Sequence, residues 1–317
     1  KIIARAAETG EEPIKLAERY IDAFHADAEG LGLLMPDAEP RVSSSIQDIQ
    51  NLIGKLMDQG YAYVEDGNVW FSVETFKEYG KLSGQKVEEL RNPDNFAGKR
   101  AAADFALWKS AKDGEPAWES PWGAGRPGWH IECSAMSMKY LGESFDLHSG
   151  GVDLIFPHHE NEIAQSESVT GKTFARHWFH IAHLMVEGQK MSKSLGNLYT
   201  LEDLVDKGYK EQEVRYVLLS GSYRQPLNFT FDSMQASRKA LSKLSDFAKK
   251  FGIQPSGDSM LETEFGPFYP VQEALLSDLN TPEALGRCFR LVREMEEAWD
   301  RGEFDGKIEE LEFTALI

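Results

Sequence analysis

Phe145-Asp-Leu-His-Ser-Gly-Gly-Val-Asp-Leu-Ile-Phe-Pro-His-His-Glu-Asn-Glu162 is the stretch that decides the fold class. Phe145 to His148 reads as a strand, Gly150-Gly151 as the turn that ends it, and a helix starts near Pro157. Strand, glycine turn, helix is the order of a doubly wound α/β sheet, where ligands bind beyond the carboxyl ends of the strands. The polar residues behind the glycine turn therefore stand where such a fold binds its ligand. His158 and Glu162 are four apart on the expected helix, so they share one face.

Upstream, Pro121-Trp-Gly-Ala-Gly-Arg-Pro-Gly128 reads as a rigid, tightly turning loop, followed by a helix over about 130–140 that carries Cys133. A soft thiolate, an imidazole and a carboxylate together suit zinc. The spacing by itself is only suggestive, because a His and a Glu four apart on a helix also make an ordinary surface pair. One ligand is missing for a closed tetrahedral site. Cys288, inside a distal helical pattern, reads as a small buried hydrophobe rather than that ligand.

Further out, residues 13–29 read as an amphipathic helix, with Pro13 at its first position and Ile14, Ala17, Ile21, Phe24 and Ala28 at steps of three and four. A second helix is expected over 45–59, with a stripe of Ile46, Ile49, Ile53 and Leu56 and Gly60 as its stop. Asp66-Gly67 between Tyr61-Ala-Tyr-Val64 and Val69-Trp-Phe-Ser-Val73 signals a hairpin. Phe105 to Trp108 reads as a strand, and residues 77–100 are charged, turn-rich and uninformative. From about residue 200 the pattern is helical, over 201–207, 211–219, 232–250, 268–278 and 281–300.

Lys190-Met-Ser-Lys-Ser-Leu-Gly-Asn197 is a second constellation. Two lysines three apart, with serines and a glycine, make a cationic loop able to neutralise a polyphosphate and then release it.

Composition sets outer limits. The 317 residues suggest about two domains. With 52 acids against 34 Lys and Arg, the charge of −18 argues against a protein that coats nucleic acid, which needs clustered cations. A local basic strip remains open: Arg238, Lys239, Lys243, Lys249 and Lys250 gather on the expected helix over 232–250. Two cysteines make no disulfide framework, so a reducing cytoplasm is expected. No apolar run approaches the ~18 residues that span a bilayer.

Lys190-Met-Ser-Lys-Ser194 resembles the second signature of class I aminoacyl-tRNA synthetases. Gly128-Trp-His-Ile-Glu-Cys-Ser-Ala-Met136, together with the opening stretch from Phe145 to Glu162, resembles the cysteinyl-tRNA synthetase family closely. The resemblance covers essentially the whole chain. It implies a Rossmann-type doubly wound sheet, of which the second half is present. Residues 1–44 and 122–175 would be parts of this catalytic domain, 45–121 a connective insert, 176–231 a stem-contact segment with the lysine loop, and 232–317 a helical bundle. The family binds one zinc through two Cys, one His and one Glu, and Cys133, His158 and Glu162 match three of these. Trp129 matches a residue lining the amino-acid pocket, and Asp153 a carboxylate near it. Lys193 matches the ATP-contacting lysine, with Lys190 beside it.

The implied activity is ligation of cysteine to tRNA(Cys) through cysteinyl-adenylate, with ATP and Mg2+ and with zinc holding the substrate thiolate. A cytoplasmic monomer without membrane attachment is expected. A related ligase of mycothiol synthesis, which joins cysteine to an amino-sugar inositol, is the alternative, and Glu162 and the full lysine string through Leu195 favour the synthetase. A remnant that binds zinc or RNA without chemistry is a third reading.

Two departures stand out. The first class I signature, His-Ile-Gly-His, is absent, and His180-Ile-Ala-His183, directly before the lysine loop and lacking the glycine, does not replace it. The chain opens on Lys1 rather than Met, and residues 291–317 carry 9 acids against 3 bases, unlike an anticodon-binding surface. The expectation is a fragment that lacks the signature region and the anticodon-binding domain and is inactive alone.

Overall fold

The computed structural model describes residues 2–86, 98–192, 195–253 and 268–304. The chain divides into two compact units, one of residues 1–24 and 35–181 and one of residues 25–34 and 182–317.

The first unit opens with α1 (Ile2–Thr9) and the start of α2 (Pro13–Gly30), followed by α3 (Ile46–Asp58). The α2 and α3 ranges match the apolar spacing to within a residue or two, and α3 buries the expected Ile49, Ile53 and Leu56. Strands β1 (Ala62–Glu65) and β2 (Asn68–Phe71) pair as the expected hairpin. Asp66 and Gly67 both have positive φ, 49° and 73°, as the tight turn of a two-residue hairpin requires. Strands β3 (Phe105–Ser110) and β4 (Gly125–Pro127) complete a four-stranded antiparallel sheet in the order β1-β2-β3-β4.

Strand β4 corrects the sequence expectation of a loop from Pro121 to Gly128. Pro127 has no N–H to donate, which hides a strand in the sequence, but β4 lies at the sheet edge, where a proline is tolerated. The pairing of Trp108 with Pro127 delivers the chain to Gly128 against the sheet. A Cβ at Gly128 would fall 1.9 Å from the Ala106 carbonyl oxygen, so only glycine fits at this entrance to α4 (Trp129–Leu141).

Strand β5 (Phe145–Gly151) leads through a short 3-10 turn, Val152–Leu154, and a wider turn, Ile155–His159, into α5 (Glu160–Thr170). The strand-to-helix order holds, but Gly150 and Gly151 are the last residues of the strand rather than the expected turn, and the helix begins at Glu160 rather than near Pro157. Strand β6 (Ala175–Ile181) pairs with β5 in parallel, with Gly150 opposite His180. One core joins these parts: Ile49, Ile53 and Leu56 of α3, Phe71, Phe105 and Trp108 of the sheet, Ile131 and Ala135 of α4, and Ala164 of α5. Helices α4 and α5 are therefore clamped on a sheet and helix scaffold.

The second unit contains β7 (Leu184–Val186), β8 (Gln189–Lys190), α6 (Leu201–Asp206), α7 (Glu211–Leu219), β9 (Leu227–Phe229), α8 (Phe231–Lys250), α9 (Tyr269–Leu276) and α10 (Thr281–Asp300). The helices follow the expected periodicity. Strands β6 to β9 were not expected. Three of them span only two or three residues, too few for an alternation to register, and β6 alternates poorly because most of its side chains are partly exposed. Cys288 is buried in a helical core with Leu244, Phe247, Phe268 and Val292, as its apolar setting suggests. Of the cations expected on α8, Arg238 is held by Glu213, at 2.7 Å from Nε, and Lys250 reaches Asp300 at 3.4 Å. Among the described residues no helix is long and apolar enough to cross a membrane.

Candidate metal and substrate site

The start of α4 and the turn that leads into α5, with the first turn of that helix, carry the site, and the core fixes both helices. Buried Ile131, Ser134 and Ala135 set the rotation of α4, and Ser134 Oγ meets the Gln165 amide of α5 at 2.6 Å. That rotation leaves Trp129, His130 and Cys133 on the side facing His158. The Trp129 ring centroid lies 4.4 Å from that of His158.

Helix α5 is unusual in burying polar groups along most of its length, including Glu160, Asn161, Glu162, Gln165 and Ser166. Buried polar groups are normally hydrogen-bonded. Glu160 obeys the rule: its two oxygens accept the backbone N–H groups of Gly80 (2.9 Å), Leu82 (3.2 Å) and Ser83 (2.8 Å). Asn161 obeys it through the Tyr79 hydroxyl, which donates to its Oδ1. Residues 80–83, uninformative in the sequence, thus form a loop folded onto this helix.

Glu162 breaks the rule. It is 0% exposed, and among the described residues neither of its oxygens makes a hydrogen bond of good geometry. What surrounds it is a ring of metal-ligand atoms. The Nε2 atoms of His148, His158 and His159 stand 3.1, 3.8 and 3.9 Å from Glu162 Oε2. The Cys133 thiol, a His158 ring nitrogen and a Glu162 oxygen lie within 4.8 Å of one another. The three residues expected from the sequence as ligands are therefore brought together.

The electrostatics point the same way. Burial, with neighbouring imidazoles, pulls His158 and His159 down to about 3, and burial pulls His130 down to about 4. Neutral imidazoles are what a metal needs. Burial, with the charges of Glu162 and Glu132 behind it, pushes the Cys133 thiol up to about 12, and burial also raises the Glu162 carboxyl. Two acidic groups have been placed where neither anion is compensated. A dication supplies the missing charge and inverts both shifts. The outer nitrogen of His158, Nδ1, is 2.8 Å from His130 Nδ1, the kind of supporting hydrogen bond that orients a metal-ligating imidazole. The residues present fit a zinc ion.

His130, His148, His159, His180 and Trp178 are site residues that the sequence reasoning missed. The Trp178 ring lies 4.9 Å from that of His148 and stacks on His180. The signal for His130 was its three-residue spacing from Cys133, one helical turn. The signal for His180 needed the parallel ladder, which sets it opposite Gly150.

The remaining expected residues are distributed as follows. Trp129 is 59% exposed at the start of α4. Asp153 lies in the turn after β5, its carboxylate close over the backbone of Gly151, where a Cβ would fall 2.4 Å from Oδ1. Lys190 ends the short strand β8 in the second unit, exposed. Lys193 lies outside the described residues. Asn197, in the same loop, accepts the Ser192 N–H at 2.9 Å and donates to the Lys190 carbonyl at 3.2 Å, which ties the flanks of the loop together.

Gly150 gives a local test. A Cβ there would sit 2.8 Å from His159 Cε1 and 3.0 Å from Leu154 Cδ1. Gly150→Ala is expected to lower stability by roughly 1–3 kcal/mol through overpacking, read as a fall in the denaturation midpoint.

Comparison with known proteins gives the family. The family described as tRNA synthetases class I (C) catalytic domain matches residues 1–239. The cysteine–tRNA ligase of Opitutus terrae is 49% identical over 317 residues, covering 96% of this chain and 68% of that protein. Those of Alkalilimnicola ehrlichii and Aquifex aeolicus are 48% and 44% identical, covering 93% and 99% of this chain and 64% and 66% of theirs. The chain thus spans about two thirds of the length of the curated relatives it matches. Among solved structures, Mycobacterium tuberculosis methionyl-tRNA synthetase in complex with methionyl-adenylate superposes with a TM-score of 0.64 at 18% identity, covering 99% of this chain and 77% of that one, which establishes the shared fold. With a family match over three quarters of its length and relatives close to half identical, this chain belongs to the class I tRNA synthetases, in the cysteine–tRNA ligase family.

Proposed function

We propose that this protein, in the cytoplasm and as a monomer, joins cysteine to tRNA(Cys) at the expense of ATP, with Mg2+ accompanying the nucleotide. The observation that carries the reading is Glu162, a fully buried carboxyl without a good hydrogen bond among the described residues, facing Cys133 and His158. A group so costly to bury unpaired is explained by a ligand role.

Cys133, His158 and Glu162 would hold one zinc ion. When bound, zinc offers the thiolate of cysteine a bond that serine, nearly isosteric, does not match at neutral pH. A pocket selecting by shape alone would separate the two amino acids poorly.

The rest is positioning. His130 holds the His158 ring in orientation through their 2.8 Å contact. Trp129 walls the pocket against His158, and Asp153 would pair with the substrate ammonium. Lys190 and Lys193 would neutralise the ATP phosphates. The cysteine carboxylate attacks the α-phosphorus, the bond to the bridging oxygen breaks, and pyrophosphate leaves. A ribose hydroxyl of the terminal tRNA adenosine then attacks the acyl carbon and AMP leaves. Little proton transfer is needed, so orientation and charge stabilisation carry the rate.

The test is amino-acid-dependent ATP–pyrophosphate exchange by the full-length protein. Cysteine is expected to support exchange on the order of a thousandfold or more above serine, and Cys133→Ser to remove most of the cysteine-dependent rate. Equal exchange with cysteine and serine would sink the proposal.

A further inference from the structure

We propose that the pocket contains a second, sulfur-free cation position, formed by His148, His159 and Glu162, which takes a first-row divalent ion such as zinc, cobalt or nickel without help from Cys133. The ligand atoms of these three residues lie within 4.8 Å of one another, as closely gathered as those of the Cys133 set.

Three features carry this beyond proximity. First, Glu162 Oε2 is the focus of three imidazole Nε2 atoms, and the two nearest to it besides His158 belong to His148 (3.1 Å) and His159 (3.9 Å). Second, His159 has its own supporting contact. Its Nδ1 lies 2.9 Å from His180 Nε2, which leaves Nε2 turned to the carboxylate. This repeats the relation of His130 to His158 on the other side, so both inner histidines are braced as metal ligands are. Third, the place is built. His159 is buried, and the missing Cβ of Gly150 admits its ring. The rings of His148 and His159 meet edge to face at 4.9 Å, and Trp178 covers both.

Chemistry separates the two positions. The Cys133 position offers sulfur, nitrogen and oxygen and favours a thiophilic ion. The His148–His159 position offers two imidazoles and a carboxylate, a set suited to zinc, nickel or cobalt without thiolate. The two share Glu162, so removing the sulfur leaves the second intact. The inference does not depend on the charging of tRNA, because metal binding is read directly.

The experiment uses the full-length protein carrying Cys133→Ala, stripped of metal and titrated with cobalt(II). Absorption and X-ray absorption are recorded, with circular dichroism to confirm the fold. The proposal expects about one cobalt per chain, visible d–d bands without a thiolate charge-transfer band, and a first shell of nitrogen and oxygen with at least two imidazoles. Adding His148→Asn and His159→Asn in the Cys133→Ala background should weaken cobalt binding at least tenfold, whereas adding His158→Asn should not. Absence of cobalt from the folded Cys133→Ala protein, a single imidazole in its first shell, or binding indifferent to His148 and His159 would overturn the proposal. Should the double histidine variant fail to fold, the imidazole count in Cys133→Ala alone decides.

Discussion

Glu162→Leu is expected to make the metal-free protein more stable while abolishing its response to zinc. Removing a buried carboxyl from a folded core is usually destabilising, because its partners are left unpaired. Glu162 lacks such partners: its oxygens make no hydrogen bond of good geometry among the described residues, and His148 Nε2, 3.1 Å away, belongs to a partly exposed side chain that water can reach. An apolar side chain of similar size relieves the desolvation penalty, worth about 1–3 kcal/mol for an unsatisfied buried group. In the unaltered protein, free zinc a thousandfold above its dissociation constant adds about 4 kcal/mol. The variant should lose that increment. Chemical denaturation with chelator and with buffered zinc reads both effects. A variant destabilised without metal, or one that zinc still stabilises fully, contradicts the assignment of Glu162 as a ligand.

Glu160→Gln, two residues earlier on the same helix, is expected to do the opposite. Glu160 is equally buried, but its oxygens accept three backbone N–H groups of the 80–83 loop. Glutamine keeps one acceptor and turns an N–H2 group against the others. The loop has no easy alternative, because Gly80 sits at φ 96° with the Gln85 carbonyl packed where a Cβ would be. A loss on the order of 3 kcal/mol is expected, since hydrogen bonds to charged acceptors and stranded donors each cost about 1.5–3 kcal/mol. Amide exchange localises the effect: Gly80, Leu82 and Ser83 should lose protection, while zinc still stabilises the variant. A neutral substitution, or protection unchanged at these amides, contradicts the structural role.

The contrast between these two acids shows what the sequence could and could not reveal. Both sit in Pro-His-His-Glu-Asn-Glu162, and spacing alone assigned only the i, i+4 relation of His158 and Glu162. That relation held, although His158 belongs to the turn before α5 rather than to the helix itself. Cys133 was legible because a thiol at the start of a helix after a glycine loop is chemically conspicuous. The role of Glu160 was invisible, because its partners are backbone amides 77–80 residues away in a stretch with no periodic pattern.

The helices of the second unit were legible for a plain reason: a 3.6-residue repeat sustained over 20 residues, as in α8 and α10, leaves a strong record. Strands β7, β8 and β9, two or three residues each, leave almost none. The histidines that complete the pocket were hidden for a related reason. His148 and His180 meet it only through the parallel pairing of β5 and β6, a contact between segments that no local pattern encodes.

A metal at Cys133, His158 and Glu162 would read the substrate thiol, and cobalt substitution tests this most directly. The full-length protein is loaded with cobalt(II), and its near-ultraviolet thiolate-to-cobalt absorption is followed as L-cysteine or L-serine is added. A saturable rise with cysteine is expected as a further sulfur joins the metal, with no change on adding serine and a cysteine response that Cys133→Ala or Glu162→Leu weakens or removes. An absorption indifferent to cysteine, or equal responses to cysteine and serine, would contradict it.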